Sequence, residues 1–242
     1  MKKEIILFLS LAAALACAPW TLSAAESKTA EEYLNEALGD IQHSQLDEAL
    51  NKLGEAIRIN DRMSEAYFHR GMILSEKGDR ESALRDFEKA VTLDPDYAPP
   101  YLGKGAVAFS QGNLDAAVEF LTQAIDRDPE LGLAYYNRGV SHYYQRDLEN
   151  AESDLTRAKE LGIEVEPELY EEVWTLTHLD TIIEDTTKTL AGDDKNAEAY
   201  YNRGIAYYYK KDNAKALEDL KKARELGAAV EDALMAELQP AS

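Results

Sequence analysis

The stretch SEAYFHRGMILSEKGDRESALRDFEKAVTLDPDY, residues 64–97, decides the fold, because its spacing of small and large apolar residues recurs along the chain. It is 34 residues long. Positions are counted from its first residue. The residues that recur are Tyr67, Gly71, Leu74, Ala83, Phe87, Ala90 and Pro95, at positions four, eight, eleven, twenty, twenty-four, twenty-seven and thirty-two.

The same frame fits four further segments, which begin at Ala30, Ala98, Gly132 and Ala197. Position four is Tyr in all five segments, and positions twenty and twenty-seven are Ala in all five. Such agreement at a fixed period indicates an internal structural repeat.

The positions within the frame predict a pair of helices. Positions four, eight and eleven fall on one stripe of a helix that turns by about 100° per residue. Small residues at positions eight, twenty and twenty-seven allow two helices to approach closely. The turn sequences KGD, QGN and KKD separate the two helices, while Pro95 and Pro129 end the second one. Gly162 and Gly227 supply C-caps where no proline follows.

This pattern resembles the tetratricopeptide repeat (TPR) family, whose 34-residue units carry an aromatic residue, Gly, Ala, Phe, Ala and Pro in the same order. The resemblance covers nearly all of the chain after residue 29. It implies an all-α, right-handed superhelical solenoid of antiparallel helix pairs with a C-terminal capping helix. The family's Leu before the Gly is replaced here by Arg70, Lys104, Arg138 and Arg203. We expect these side chains to face outward.

The predicted organisation is a signal peptide (1–25), a short leader (26–29), the TPR solenoid (30–227), and a capping helix with a tail (228–242). The units lie near 30–63, 64–97, 98–131, 132–165, 166–196 and 197–230. In the last segment, Val230, Leu234 and Leu238 share one face, and such an apolar stripe is what a terminal cap of a solenoid needs.

One unit, residues 166–196, is degenerate. It has 31 residues and lacks the Gly and both Ala of the frame. It predicts either a helix pair with a turn shortened by three residues or one longer, bent helix. We expect Trp174 to fill the core space that the missing small residues would have closed, with contact to a ligand as the alternative.

The N-terminal residues are typical of an export signal. Lys2 and Lys3 precede an apolar run from Ile5 to Ala16, and small residues lead to a predicted cleavage site after Ala25. The expected location is the periplasm, with secretion as an alternative. Cys17 is the only cysteine and lies in AALAC, which loosely resembles a bacterial lipobox. The alternative is therefore a lipoprotein anchored to the envelope through Cys17.

The chain is strongly acidic, with a formal charge of −20. Such a surface repels nucleic acid and anionic lipid headgroups and favours basic partners. The same charge is also typical of a helical surface that only needs to stay soluble. After the first 25 residues, no apolar run reaches membrane-spanning length.

Positions two, five, six, nine, twelve and thirteen form a second stripe on the first helix of each unit. In TPR proteins this stripe lines the concave groove where partner peptides lie, which implies contacts from Leu102, Ala106 and Phe109 in the third unit. The other candidate partner-binding residues are Phe68, His69, Met72, Tyr136, Asn137, Tyr143, Tyr144, Tyr201, Asn202, Tyr208 and Tyr209. Tyr and Asn are common at these positions in the family, so a purely structural role is the alternative.

One TPR subtype can be excluded. Chaperone-binding members hold a C-terminal carboxylate with Lys and Asn on successive first helices. This sequence has Leu34 and Leu38 in the first unit, and Leu102 and Gly103 in the third. The carboxylate clamp is therefore absent, and we expect a basic or apolar ligand.

No set of residues predicts catalysis. The sequence has no HExxH motif, Gly-rich phosphate loop or nucleophile elbow. His43, His69, His142 and His178 lie in different units at unmatched positions, so we expect no metal site, no cofactor and no enzyme activity. The predicted function is a non-catalytic protein–protein interaction scaffold or adaptor of the bacterial cell envelope, with a self-assembling TPR scaffold as an alternative.

Overall fold

The computed structural model describes residues 28–239, so the predicted signal peptide and Cys17 lie outside the described residues. The described part contains thirteen α-helices and no strand, which confirms the all-α prediction. None of these helices has the length and apolar content needed to span a bilayer. The chain divides into two compact units between Arg62 and Met63.

The first unit is one helix pair, α1 (Ala30–Gln42) and α2 (Leu46–Ile59). Thr29 begins α1 with a capping box. Its side chain accepts from the Glu32 backbone N–H at 3.2 Å, and the Glu32 carboxylate accepts from the Thr29 backbone N–H at 2.7 Å. Four recurring residues of this frame are buried, namely Ala37, Ala49, Leu53 and Ala56, while Tyr33 at position four is half-buried. Leu34, at position five, is also buried.

The second unit holds the remaining helices, of which those in regular repeats pack in consecutive antiparallel pairs. Its elements are α3 (Ser64–Glu76), α4 (Arg80–Leu93), α5 (Pro99–Ser110), α6 (Leu114–Arg127), α7 (Gly132–Gln145), α8 (Leu148–Glu160), α9 (Pro167–Thr177), α10 (Leu179–Gly192), α11 (Ala197–Tyr209), α12 (Asn213–Glu225) and α13 (Asp232–Glu237). This arrangement confirms the predicted solenoid of helix pairs.

The turn inside each regular pair uses one left-handed residue, at position fifteen. Glycine supplies it in two frames, where Gly78 has φ +86° and Gly112 has φ +75°. In the other frames Ser44, Arg146 and Lys211 adopt φ values of 58–64°. The chain therefore accepts some backbone strain at these turns to keep the same hairpin geometry.

Close contact at position eight sets the distance between the helices of a pair. A Cβ built on Gly105 would lie 2.6 Å from Cγ of Leu121, and one built on Gly71 would lie 2.7 Å from Cε1 of Phe87. These separations are far inside normal carbon–carbon contact, which is about 3.5–4.0 Å. Gly139 against Leu155 and Gly204 against Leu220 repeat the contact, at 3.0 and 2.8 Å.

The expectation that the basic residues at position seven face outward is wrong for three of them. Arg138 donates two hydrogen bonds to the carboxylate of Asp154, at 2.7 and 2.8 Å, and Asp154 is buried. The pairs Arg70–Asp86 and Arg203–Asp219 have the same geometry. A helix pair brings positions seven and twenty-three face to face, and a guanidinium matches a carboxylate there with two parallel bonds.

The two remaining regular frames change both members of this pair together. Lys104 faces Phe120 instead of an Asp, with its ammonium 4.4 Å from the ring centroid. Glu36 and Lys52 reverse the charges, and Lys52 also forms a 2.7 Å ion pair with Asp40. The residues at positions seven and twenty-three are thus complementary to each other in every regular frame.

The degenerate unit is neither a regular pair nor one continuous helix. Only His178 separates α9 from α10, and the two helices barely touch each other. Instead α9 packs on α8, and α10 packs on α11. The expectation that Trp174 fills the core is wrong, because its side chain is 42% exposed. Without Gly and Ala at the contact positions, the helices splay and leave the indole at the surface.

The last described helix, α13, packs on the final pair. Leu238 is buried, and Val230 and Leu234 lie partly buried against the same cluster, so the predicted stripe faces the solenoid. Met235 is buried with them.

The close contact at position eight predicts opposite effects for two glycine substitutions. Gly105→Ala should lower the free energy of unfolding by about 1–3 kcal/mol, because the new methyl group overlaps Leu121. Gly54→Ala is the matched control: it lies within α2 with nothing within 4 Å of a built Cβ. It should raise stability by about 0.5–1 kcal/mol. Urea unfolding followed by circular dichroism measures both. A stabilising Gly105→Ala would contradict the close-packing interpretation.

The buried pair predicts a second stability difference. Asp154→Asn should cost about 2 kcal/mol, because Arg138 loses a charged acceptor for its two bonds. Asp185→Asn changes an exposed carboxylate that lies 3.7 Å from Lys188, and it should cost less than about 0.5 kcal/mol. Equal effects of the two substitutions in thermal unfolding would show that the buried pair stabilises the fold no more than the exposed carboxylate does.

Candidate functional site

Two of the candidate tyrosines of α7 are hydrogen-bonded to a neighbouring part of the fold. The Tyr136 hydroxyl donates to Glu166 at 2.6 Å, and the Tyr143 hydroxyl donates to Glu172 at 2.9 Å. Both carboxylates belong to the start of the degenerate unit. Tyr144 carries no such bond in the described contacts and is 61% exposed, packing edge-on against Phe109 at 5.6 Å. Of the three tyrosines, Tyr144 therefore offers the most surface to a partner.

The candidate residues of α11 repeat this arrangement 65 positions later. The Tyr208 hydroxyl donates to Glu237 at 3.0 Å, as Tyr143 does to Glu172. Tyr209 is 40% exposed beside it, with ring centroids 5.5 Å apart. The segment that contains α13 therefore contacts α11 in the same way as the start of α9 contacts α7.

The candidate residues of α3 form a separate cluster with a more structural character. Phe68 packs against Phe87 and Tyr97, with centroids 6.1 and 5.6 Å apart. Burial lowers the pKa of His69, and Glu65, 3.8 Å away, opposes that shift. Met72 is 46% exposed. The structure does not bring these residues against the tyrosines of α7 and α11.

Of the α5 stripe, Phe109 is half-buried and touches Tyr144, Leu102 is half-buried, and Ala106 is exposed. The Phe109–Tyr144 contact links neighbouring first helices along the predicted groove surface. Asn137 on α7 is half-buried, and its backbone carbonyl accepts from Ser141 at 2.8 Å.

A cleft that sequence analysis missed lies where α9 and α10 splay apart. Its walls come from α9, α10 and α11, and its volume is about 510 Å³. The residues that shape it are Trp174, Ile182, Asp185, Tyr201, Asn202 and Ile205. Two of these, Tyr201 and Asn202, are among the predicted partner-binding residues. The absence of Gly and Ala from the contact positions of residues 166–196 was the one sequence signal that pointed to this place.

Trp174 is held in position within the cleft. Its ring stacks on His178, with centroids 4.7 Å apart and planes 14° from parallel. His178 in turn lies 2.9 Å from the Trp174 carbonyl through Nδ1. The indole is thus exposed and fixed at once.

Within residues 28–239, no group of three or more His, Cys, Asp or Glu side chains is placed to hold a metal ion. His142 is largely buried, as expected, with Nδ1 3.5 Å from Asp147 and Nε2 4.0 Å from Asp154. These neighbours belong to the turn and to the Arg138 pair, so the cluster is part of the helix packing.

Tyr136 carries the clearest electrostatic perturbation on the candidate surface. Burial, together with the hydrogen bond to Glu166, raises the pKa of Tyr136 to about 12. The same bond lowers the pKa of Glu166. The phenol therefore stays protonated, and the carboxylate stays charged, throughout the neutral range.

Comparisons with known proteins agree with the repeat architecture. Three tetratricopeptide repeat models match residues 34–98, 74–137 and 197–227. No curated protein matches the chain in sequence.

Three solved structures illustrate the likeness in fold. A tetratricopeptide repeat protein from Parabacteroides merdae is 18% identical with a TM-score of 0.52, covering 86% of this chain and 83% of its own. Pseudomonas aeruginosa PilF is 14% identical with a TM-score of 0.51, covering 83% and 78%. MamA from Desulfovibrio magneticus is 22% identical with a TM-score of 0.50, covering 83% and 96%. At these identities the likeness is one of fold alone.

The Tyr136–Glu166 bond predicts a pH-dependent stability difference between the natural chain and Tyr136→Phe. The pKa of Tyr136 is about 12 in the folded chain, against about 10 in an unfolded one. The contribution of the Tyr136 phenol to the free energy of unfolding is therefore fully present below about pH 10, and it is lost as pH rises toward about 12. The difference in unfolding free energy between the two chains should be constant near neutrality and shrink above about pH 10.

Urea unfolding at a series of pH values measures this difference. Glu166→Gln, which removes the charged acceptor, should narrow the decline, because the pKa of Tyr136 in the folded chain falls toward the unfolded value while the onset stays at about pH 10. A difference that stays constant through alkaline pH would contradict the assignment.

Proposed function

Since the chain belongs to the tetratricopeptide repeat family, we propose that it is a non-catalytic scaffold that binds another protein or peptide on the stripe formed by the first helices of its repeats. The observation that supports this most directly is the exposure of large aromatic rings there. Tyr144 and Tyr209 are 61% and 40% exposed on α7 and α11. Both occupy position thirteen of their frames.

Preformed shape and low ordering cost support the binding mechanism. Packing at position eight, together with the buried Arg–Asp pair in three of the frames, orders the helix pairs before a partner arrives. Tyr143 and Tyr208 are held by Glu172 and Glu237, at 2.9 and 3.0 Å, so the ring beside each exposed tyrosine is already oriented. A surface that is ordered in advance loses little conformational entropy on binding.

Charge supports a basic or apolar partner. With a formal charge of −20, the surface attracts cationic segments and speeds their encounter. Acidic segments and nucleic acid are repelled by the same field.

The proposed location is the bacterial cell envelope. It rests on the sequence of residues 1–25, with either release into the periplasm after cleavage or anchoring through Cys17.

A cross-linked pull-down from native envelopes tests the proposal. Tagged full-length chain should capture one dominant partner, and Tyr144→Ala combined with Tyr209→Ala should reduce that capture at least about tenfold, as expected for two exposed aromatic anchors. Ile59→Ala is the matched control, since it removes an exposed apolar side chain from α2, off the stripe. Cys17→Ala reports anchoring through a shift to the soluble fraction.

Circular dichroism should show that the double variant keeps its helical content. Undiminished capture by the folded double variant would overturn the proposed binding surface. Recovery of the chain alone would favour self-assembly over the adaptor function.

A further inference from the structure

The cleft between α9, α10 and α11 has the size and setting of a binding pocket. Its volume of about 510 Å³ lies within the range of about 300–1,000 Å³ that is usual for ligand pockets. It opens beside Tyr201 and Asn202, which lie on the predicted groove stripe of α11. A partner on that stripe could therefore insert a side chain here.

The walls of the cleft are mostly apolar and are held in place. Trp174, Ile182, Tyr201 and Ile205 provide this surface. Trp174 is 42% exposed, although burial of its ring would be favourable. Because it stacks on His178 at 4.7 Å, its position does not depend on a partner. An exposed but fixed indole is a suitable anchor surface for an apolar side chain.

The polar groups of the cleft select the charge of what binds. Asp185 is the only charged residue among the described residues that line it, and Asn202 adds an exposed amide. Lys188 forms a 2.7 Å ion pair with Glu184 and lies farther from Asp185, at 3.7 Å. Residues 166–196 hold nine acidic residues against two Lys. The unit that forms most of the cleft is therefore net acidic, and we expect it to attract a cation to the mouth.

We propose that this cleft binds a segment of another protein that presents one large apolar side chain next to an Arg or Lys. The proposal rests on the scaffold function above and defines the chemistry of its partner. The apolar side chain would pack on Trp174, Ile182 and Ile205, while the neighbouring cation would meet Asp185. A second copy of this chain fits less well, because its own charge of −20 would oppose close approach.

Three blocked synthetic octapeptides test this chemistry. The first, GSRFRSGS, carries Phe between two Arg. The second replaces Phe with Ser, and the third replaces both Arg with Glu. The full-length chain with Trp20→Phe leaves Trp174 as its only tryptophan. The first peptide should shift the Trp174 emission to shorter wavelength in a saturable way.

Each altered peptide should bind at least about tenfold more weakly than the first, since one loses the buried ring and the other reverses the charge. Equal binding of all three peptides, or no binding of the first, would overturn the proposal.

Variants of the chain locate the binding, using a fluorescein label on the first peptide and its anisotropy as the readout. Trp174→Ala should weaken binding at least about tenfold, and Asp185→Asn a few-fold with a smaller dependence on salt. Ile59→Ala, on α2 and off the stripe, is the matched control and should leave the affinity unchanged. Trp174→Phe should restore most of it. Unchanged binding by Trp174→Ala would overturn the cleft assignment.

The envelope pull-down separates this proposal from the scaffold function. If Trp174→Ala captures the natural partner as well as the natural chain does, the cleft proposal fails while the scaffold function stands. A concentration-dependent increase in size that Trp174→Ala abolishes would assign the cleft to a second copy and also overturn the proposal.

Discussion

The contact between position eight of one helix and position twenty-four of its partner is the constraint on which the rest of the structure depends. With no Cβ on Gly71, Gly105, Gly139 or Gly204, a Phe or Leu from the second helix rests almost against the backbone of the first. Once that distance is set, Ala fits at positions twenty and twenty-seven, and positions seven and twenty-three come within hydrogen-bonding reach. The unit at 166–196 shows the converse: it lacks these small residues, and its helices separate.

The features that depend on spacing within the repeat could be predicted from sequence, and those that depend on side-chain pairing could not. Periodic Tyr, Gly and Ala predicted the helices and their pairing, and Pro95 and Gly162 predicted helix ends. The partner of Arg138 was missed because Asp154 lies sixteen residues away on another helix. The sequence did contain evidence for this pairing, because in the first frame positions seven and twenty-three change together, to Glu36 and Lys52. Trp174 was misassigned because size and apolarity do not tell whether neighbouring helices close around a side chain.

The candidate binding surface combines residues that the fold uses with residues that it leaves open. The hydroxyls of three tyrosines donate hydrogen bonds to acidic residues: Tyr136 to Glu166, Tyr143 to Glu172 and Tyr208 to Glu237. They therefore stiffen the surface as much as they enlarge it. Tyr144, Tyr209 and Trp174 keep much of their ring area in water. The sequence periodicity predicted the stripe of aromatic residues. It did not predict which of their hydroxyls are hydrogen-bonded, because the acceptors are acidic residues that lie one unit later in the chain.

The single-residue connection at His178 also has a mechanical consequence. In the regular repeats, a load that separates first from second helices must break a continuous seam of buried side chains. Between α9 and α10 there is little seam to break, and each helix is held by a different neighbour. Stretching of the second unit would therefore be taken up first at this step, by a change of angle at His178, while the pairs on either side stay closed. We therefore expect the degenerate repeat to be the most compliant element of the second unit.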